Sequence, residues 1–228
     1  AVVFGVPDTI SRHLLASSVI RKISFTGSIP VGKHLIKLAA EGLKRTTMEL
    51  GGHAPVLVFD DADMTTALDM GVLRKYRNSG QVCVSPTRFY VQDASYRSFC
   101  EGFAERAGKI RVGDGLDADT QMGPLVHTRR RDAVEALVQD AVAKGAKLLT
   151  GGRRVGNEGS FFEPTVLADV PGDARIMREE PFGPVAVLNP FSTLDDAVRK
   201  ANSLPYGLAA YAFTSSAANI ARLGDAIE

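Results

Sequence analysis

Apolar strand-like runs and amphipathic helix-like runs alternate along almost the whole of this chain, and that alternation is the strongest limit on its fold. The strand-like runs are 21–28, which reads as a buried strand, and 55–59, 87–92, 147–150, 185–191 and 207–213. Helical patterns fall at 30–41, 64–76, 94–109, 127–144, 195–202 and 215–223. Strands separated by helices pair in parallel, because each helix carries the chain back along the sheet. The expectation is an α/β fold with a largely parallel sheet and helices on both faces. Three weaker segments complete it. Residues 1–5 read as a short strand, and 11–16 as a helix after a Pro7-Asp8 break. Residues 161–166 read as an edge or irregular strand, because Pro164 has no N–H to give a ladder. The last helix is expected to be capped by Thr214 or Ser215.

A chain of 228 residues can bury a sizeable core. Its net charge of +1 supplies no field for nucleic acid or an anionic membrane, and no apolar run is long enough to span a bilayer. Neither is expected as a partner. Two cysteines, Cys83 and Cys100, make no disulfide framework, which points to a reducing, cytoplasmic setting. The chain opens at Ala1 without Met or a signal-peptide pattern and stops at Glu228 directly after a helical run. Both ends read as cuts through a longer protein.

Cys83 lies at a break between elements, in Gly80-Gln81-Val82-Cys83-Val84-Ser85-Pro86. The residues alone leave two readings, an inert thiol or a presented nucleophile, and the inert thiol is the simpler. Cys100 shares an apolar stripe with Tyr96, Phe99 and Phe103, so it belongs to the core. Glu49 stands at a strand end before Gly51-Gly52, where a ligand can approach closely; it is either a general base or a solvated acid. Phe25-Thr26-Gly27-Ser28 leads into a helix with Pro30 in its first turn, an arrangement that can hold a phosphate. A plain strand-to-helix turn explains the same residues. Asp60, Asp61 and Asp63 read as helix-capping acids, since they lack the glycine and distal glutamate of a calcium loop; no metal is expected. His53 reads as a local hydrogen-bonding residue, and Arg129-Arg130-Arg131 as a solvated helix surface.

Four segments taken together are more specific than any one. Phe25-Thr26-Gly27-Ser28, Met48-Glu49-Leu50-Gly51-Gly52, Gly80-Gln81-Val82-Cys83 and Glu180-Pro181-Phe182-Gly183-Pro184, in this order and spacing, resemble the aldehyde dehydrogenase superfamily. The resemblance runs over essentially the whole chain. It implies a fragment: residues 1–50 as the last part of a Rossmann-like dinucleotide-binding domain, and 51–228 as a catalytic domain incomplete at its C-terminus. It also implies that the oxyanion-hole asparagine, the residues that meet the adenosine ribose and the oligomerisation strand lie outside these 228 residues. The segments 77–88 and Leu204-Pro205-Tyr206-Gly207-Leu208-Ala209 are most similar to the semialdehyde branch, the dehydrogenases of succinate semialdehyde and α-ketoglutaric semialdehyde.

What the resemblance implies is an NAD(P)-dependent oxidoreductase that converts an aldehyde, one bearing a carboxylate, to the acid. NAD is the default over NADP, and the full-length protein is expected to be a homodimer or homotetramer. Cys83 takes the role of nucleophile, forming a thiohemiacetal and then a thioester, and Glu49 that of the base that activates water. Gly27 and Ser28 fall at the cofactor pyrophosphate, Leu50 beside the nicotinamide, Glu180 at the nicotinamide ribose and Phe182 near the ring. Arg77 stands six positions before Cys83, where succinate-semialdehyde enzymes hold the substrate carboxylate with an arginine. Some enzymes of this branch carry a second cysteine two places after the nucleophile; here it is Ser85, so no disulfide switch forms there. The alternative, from a different class, is a non-catalytic fragment with at most thiol-dependent esterase activity.

Overall fold

The computed structural model describes all residues from Ala1 to Glu228, and the chain divides into two compact units, Ala1–Gly51 and Gly52–Glu228. In the first unit, α1 (Pro7–Ala16) and α2 (Ile29–Glu41) accompany β1 (Lys22–Gly27) and β2 (Arg45–Leu50), which form a two-stranded parallel sheet. Leu15, Leu35 and Ala39 make its small core, with Ile23, Phe25 and Met48 packed against them. Three expectations fail here. Residues 1–5 form no strand and are exposed. Helix α1 starts at Pro7 itself, because proline fits the first helical turn, where its missing N–H is not needed. Strand β1 is not buried but alternates between exposed and half-buried, since only one face of so narrow a sheet meets the helices of the unit.

The second unit is built on a six-stranded sheet, ordered β5-β6-β7-β4-β3-β8. Its strands are β3 (Pro55–Val58), β4 (Arg88–Gln92), β5 (Lys147–Thr150), β6 (Thr165–Ala168), β7 (Val185–Phe191) and β8 (Tyr211–Phe213). Every pairing is parallel except β5 with β6. The helices are α3 (Met64–Tyr76), α4 (Asp93–Gly108), α5 (Thr128–Ala143), α6 (Leu194–Ala201) and α7 (Ala217–Ala226). None is long and apolar enough to cross a membrane.

Side chains alternate between the two faces of a strand, and both faces here are apolar. Val56, Val58, Phe89 and Val91 point into one cluster with Leu68, Val72, Phe99 and Phe103 of α3 and α4. Leu57, Phe59, Tyr90 and Phe191 point into the opposite one with Ala197, Ala201 and Leu223 of α6 and α7. Leu167, Val185 and Val187 meet Val134, Leu137 and Val138 of α5. The largely parallel sheet covered by helices on both faces, read from the alternation, is thus the fold observed. The acids before α3 include its cap: Asp63 accepts from the Thr65 and Thr66 N–H groups. Cys100 lies in the core, where burial pushes its thiol up to about 11.

Three further differences have local causes. Strand β6 starts just after Pro164, is fully buried and is paired on both sides, so it is no edge strand. The proline precedes the ladder and takes nothing from it. Of 207–213 only Tyr211–Phe213 pairs. Helix α7 is capped by Ser216 rather than Thr214 or Ser215, which instead bond Asp61.

Arg88, at the start of β4, is one of the most deeply buried side chains, 1% exposed. It has no acid for a partner. Its Nε donates to the His53 carbonyl at 2.9 Å, and its other nitrogens donate to the Lys200 and Ala201 carbonyls at 3.1 and 3.0 Å. The last two are in the final turn of α6, where the helix dipole is negative. The guanidinium therefore ties α6 to the central strands by charge-assisted hydrogen bonds. Arg88→Met should cost about 3 kcal/mol of stability, because it leaves several buried carbonyls without donors; urea unfolding of the variant against the parent measures this.

Candidate active site

In the first unit, the parallel register of β1 and β2 sets Thr26 opposite Glu49 and Gly27 opposite Leu50. Four of the residues singled out from sequence, Gly27, Ser28, Glu49 and Leu50, are thereby gathered at one end of the two-stranded sheet. Ser28 is the N-cap of α2, yet its hydroxyl makes no capping hydrogen bond. The N–H groups of that first turn keep their capacity for an anion, and the dipole of the helix favours one. Gly32 is buried under the Leu50 side chain; a Cβ there would come within 2.6 Å of Leu50 Cδ2. Glu49 is exposed and Leu50 half-buried. A helix N-terminus with an idle cap suits the pyrophosphate of a dinucleotide.

In the second unit, the chain leaves α3 through three successive residues with positive φ, Asn78 (49°), Ser79 (56°) and Gly80 (70°). Left-handed backbone costs energy at a non-glycine residue and is held only where the surroundings fix it. Several bonds fix it here. Asn78 Nδ2 donates to the Gln81 carbonyl at 3.0 Å, and Ser79 Oγ donates to the Gly123 carbonyl at 2.7 Å. Gly80 lies so close to the loop at Gly183 that a Cβ would fall 2.1 Å from the Gly183 carbonyl oxygen.

The reversal delivers Val82–Ser85 as a tight turn, closed by the Ser85 N–H on the Val82 carbonyl at 2.9 Å. Cys83 sits in the turn, half-buried, and its N–H is not spent on a backbone carbonyl. Tyr211 Oη donates to the Val84 carbonyl at 2.7 Å and holds the far side of the turn. A Cβ on Gly52 would lie 2.7 Å from the Cys83 carbonyl oxygen, so the turn rests on bare backbone there as well.

Glu180 and Phe182 belong to the loop that Gly80 touches. Glu180 Oε1 accepts from the Gly52 N–H at 3.3 Å. Burial pushes its carboxyl upward, opposed by that N–H and then by Arg130 and Lys75. Its remaining acceptor capacity suits a ligand hydroxyl pair. Phe182 is half-buried and has a positive φ of 40°, a further strained non-glycine position. Cys83, Glu180 and Phe182 thus lie on two loops packed against each other at the Gly80–Gly183 contact.

Arg77 is exposed at the end of α3. It borders a cavity of about 360 Å³ that is also lined by Arg74, Val82, Val84, Phe89 and Tyr211. Val82 and Val84 flank Cys83, so the cavity lies beside the turn. Neither Arg74 nor Arg77 takes part in the chain's ion pairs. An apolar cavity rimmed by two uncommitted guanidiniums suits an anionic small molecule with a carbon body.

Four basic residues stand differently in the structure from their reading in the sequence, or were not read there at all. Arg130 was read as a solvated surface residue, but its guanidinium donates to the Pro181 carbonyl at 3.3 Å, next to Glu180. Arg131 is likewise no free surface residue, since it donates to the Gly159 carbonyl at 2.9 Å. Lys75 is wholly buried, with Nζ 3.2 Å from Ser85 Oγ. Its signal was present: Ala67, Leu68, Gly71, Val72, Lys75 and Tyr76 form the buried stripe of α3, and a lysine on such a stripe is an exception. His53, read as a local hydrogen-bonding residue, is buried; its Nε2 donates to the Ile176 carbonyl at 2.8 Å. Burial and the Arg88 charge push its imidazole down to about 3, so it is neutral.

The chain matches the aldehyde dehydrogenase family over residues 1–228, and it belongs to that family. It is 49% identical over 227 residues to 4-(hydroxymethyl)benzenesulfonate dehydrogenase of Comamonas testosteroni, covering all of this chain and 47% of that protein. It is 47% identical over 227 residues to the mitochondrial succinate-semialdehyde dehydrogenase of Arabidopsis thaliana, covering all of this chain and 43% of the relative. Among solved structures, succinate-semialdehyde dehydrogenase from Burkholderia pseudomallei superposes with a TM-score of 0.97 at 41% identity, over 99% of this chain and 47% of that one. The chain therefore spans just under half the length of the relatives it matches.

Gly80→Ala should destabilise the chain by about 2–3 kcal/mol, because the new methyl meets a carbonyl oxygen and φ is already positive. Thermal unfolding and the rate of Cys83 alkylation by iodoacetamide should both change.

Proposed function

We propose that the protein oxidises an aldehyde to a carboxylic acid with a nicotinamide dinucleotide, and that its substrate carries an anionic group. The observation that carries this reading is the placement of Cys83 on a strained, clamped turn, packed against the Glu180–Phe182 loop and beside a cavity rimmed by Arg74 and Arg77. Cys83 attacks the aldehyde carbon as a thiolate and gives a thiohemiacetal. Its free N–H is one donor for the oxyanion; losing a donor of that kind costs about 3–4 kcal/mol in the transition state. When bound, the oxidised cofactor supplies the hydride acceptor, leaving a thioester on Cys83. Glu49 takes a proton from water to release the acid and free the thiol.

In this reading residues 1–50 are the end of the dinucleotide-binding domain and 51–228 part of the catalytic domain. Gly27 and Ser28 meet the pyrophosphate at the N-terminus of α2, Leu50 and Phe182 contact the nicotinamide, and Glu180 accepts from its ribose. NAD is the first choice and NADP the second, separated by comparing kcat/KM for the two. The names of the two relatives, a benzenesulfonate and a succinate semialdehyde, share an anionic group, and this supports Arg77 as its ligand. A homodimer or homotetramer in a reducing, cytoplasmic setting fits the reading.

In the full-length protein Cys83→Ala should abolish cofactor reduction by an aldehyde. Arg77→Ala should raise KM for succinate semialdehyde about 10–100-fold while leaving that of an uncharged aldehyde of equal length nearly unchanged. Retained turnover in the first variant, or equal effects on both aldehydes in the second, removes the assignment concerned. An activated ester offered without cofactor tests the alternative of thiol-dependent hydrolysis alone.

A further inference from the structure

The buried stripe of α3 carries a residue that a packed helix ordinarily excludes. Lys75 is 0% exposed, among Leu68, Val72 and Tyr76. Its Nζ donates to Ser85 Oγ at 3.2 Å. One hydroxyl is a poor return for taking an ammonium out of water, so stability alone does not account for Lys75. Burial pulls the ammonium down to about 7, and the charge opposing this is the Glu180 carboxylate. Burial pushes the Glu180 carboxyl upward, and the Gly52 N–H, Arg130 and Lys75 oppose it in that order. Lys75 also helps to keep His53 neutral.

The hydrogen bond to Ser85 ties Lys75 to the Cys83 turn, and its charge acts on Glu180 of the neighbouring loop. Ser85, its hydrogen-bond partner, closes the turn that holds Cys83 through its N–H on the Val82 carbonyl. Glu180, its counter-charge, stands on the loop that Gly80 touches through Gly183. One buried side chain, rooted in a helix packed on the central sheet, thus bonds the Cys83 turn and acts electrostatically on the Glu180 loop. We propose that Lys75 is a positioning residue: it anchors the Cys83 turn through Ser85, and its charge orients the Glu180 carboxylate for the nicotinamide ribose. The proposal rests on the roles given above to Cys83 and Glu180.

The test uses the full-length protein and readouts that need no turnover: cofactor affinity by titration calorimetry, the rate of Cys83 alkylation by iodoacetamide, and Tm. Lys75→Met keeps the length of the side chain and removes the charge. It should weaken cofactor binding at least tenfold, slow alkylation severalfold, and leave Tm equal or higher, since a buried charge is replaced by an apolar chain. Glu180→Gln alone should weaken cofactor binding, and adding Lys75→Met to it should cost less than threefold more, because the two share one interaction. Ser85→Ala, which spares the ammonium, should change the alkylation rate and leave cofactor affinity within twofold.

A lowered Tm in Lys75→Met with unchanged affinity and alkylation would show a packing role only and overturn the proposal. So would effects of Lys75→Met and Glu180→Gln that multiply independently. If Lys75→Met does not fold, Ser85→Ala decides the turn-anchoring half, and an unchanged alkylation rate refutes it. Unaltered cofactor affinity in Glu180→Gln would instead defeat the ribose-binding role of Glu180 itself, and with it the half of the proposal that concerns this carboxylate.

Discussion

Two close contacts with bare backbone determine where the nucleophile turn can lie. Gly80 meets the Gly183 carbonyl and Gly52 meets the Cys83 carbonyl, each at a separation that no side chain larger than hydrogen allows. The left-handed course of Asn78, Ser79 and Gly80 is the geometry that brings the chain off α3 into this slot. Strain of this kind is local and costly, and it persists because the sheet and helices around it are close-packed. The turn, the Glu180–Phe182 loop and the cavity beside Arg77 all take their positions from it.

The sheet supplies the rigidity on which those loops rely. Strands β3, β4 and β7 run parallel at its centre and are apolar on both faces, so a register slip would expose one buried set whichever way it went. Arg88 adds a polar fastening in the same region. Its partners are carbonyls at the end of α6 rather than a carboxylate, which lets a charge be buried without a second charge beside it.

The fold was legible because both faces of the strands are apolar and the helical periods between them are clean; the strand at 185–191, for instance, was found to the residue. What failed was local. Pro164 looked like a strand breaker, but a proline just before the first pairing residue removes no ladder bond. Residues 1–5 are apolar without a neighbour to pair with, and β-propensity has no force without one. Cys83 and Glu180 drew attention in the sequence through short motifs, and these motifs carry glycines that the close backbone approaches of the second unit require. Arg130 and Lys75 did not. Arg130 lies within a run of three arginines, and only tertiary packing distinguishes it from ordinary surface charge; Lys75 was marked only by its place on the apolar stripe of α3.

The burial of Lys75 has a practical corollary. An amine-selective reagent applied to the folded chain will modify lysines that face water and spare this one until α3 lifts from the sheet. The appearance of label at Lys75 therefore times local opening of the helix that supports the nucleophile turn, reported by a residue the protein already carries. No substitution or attached probe is needed, and the lysines on the surface serve as the internal standard.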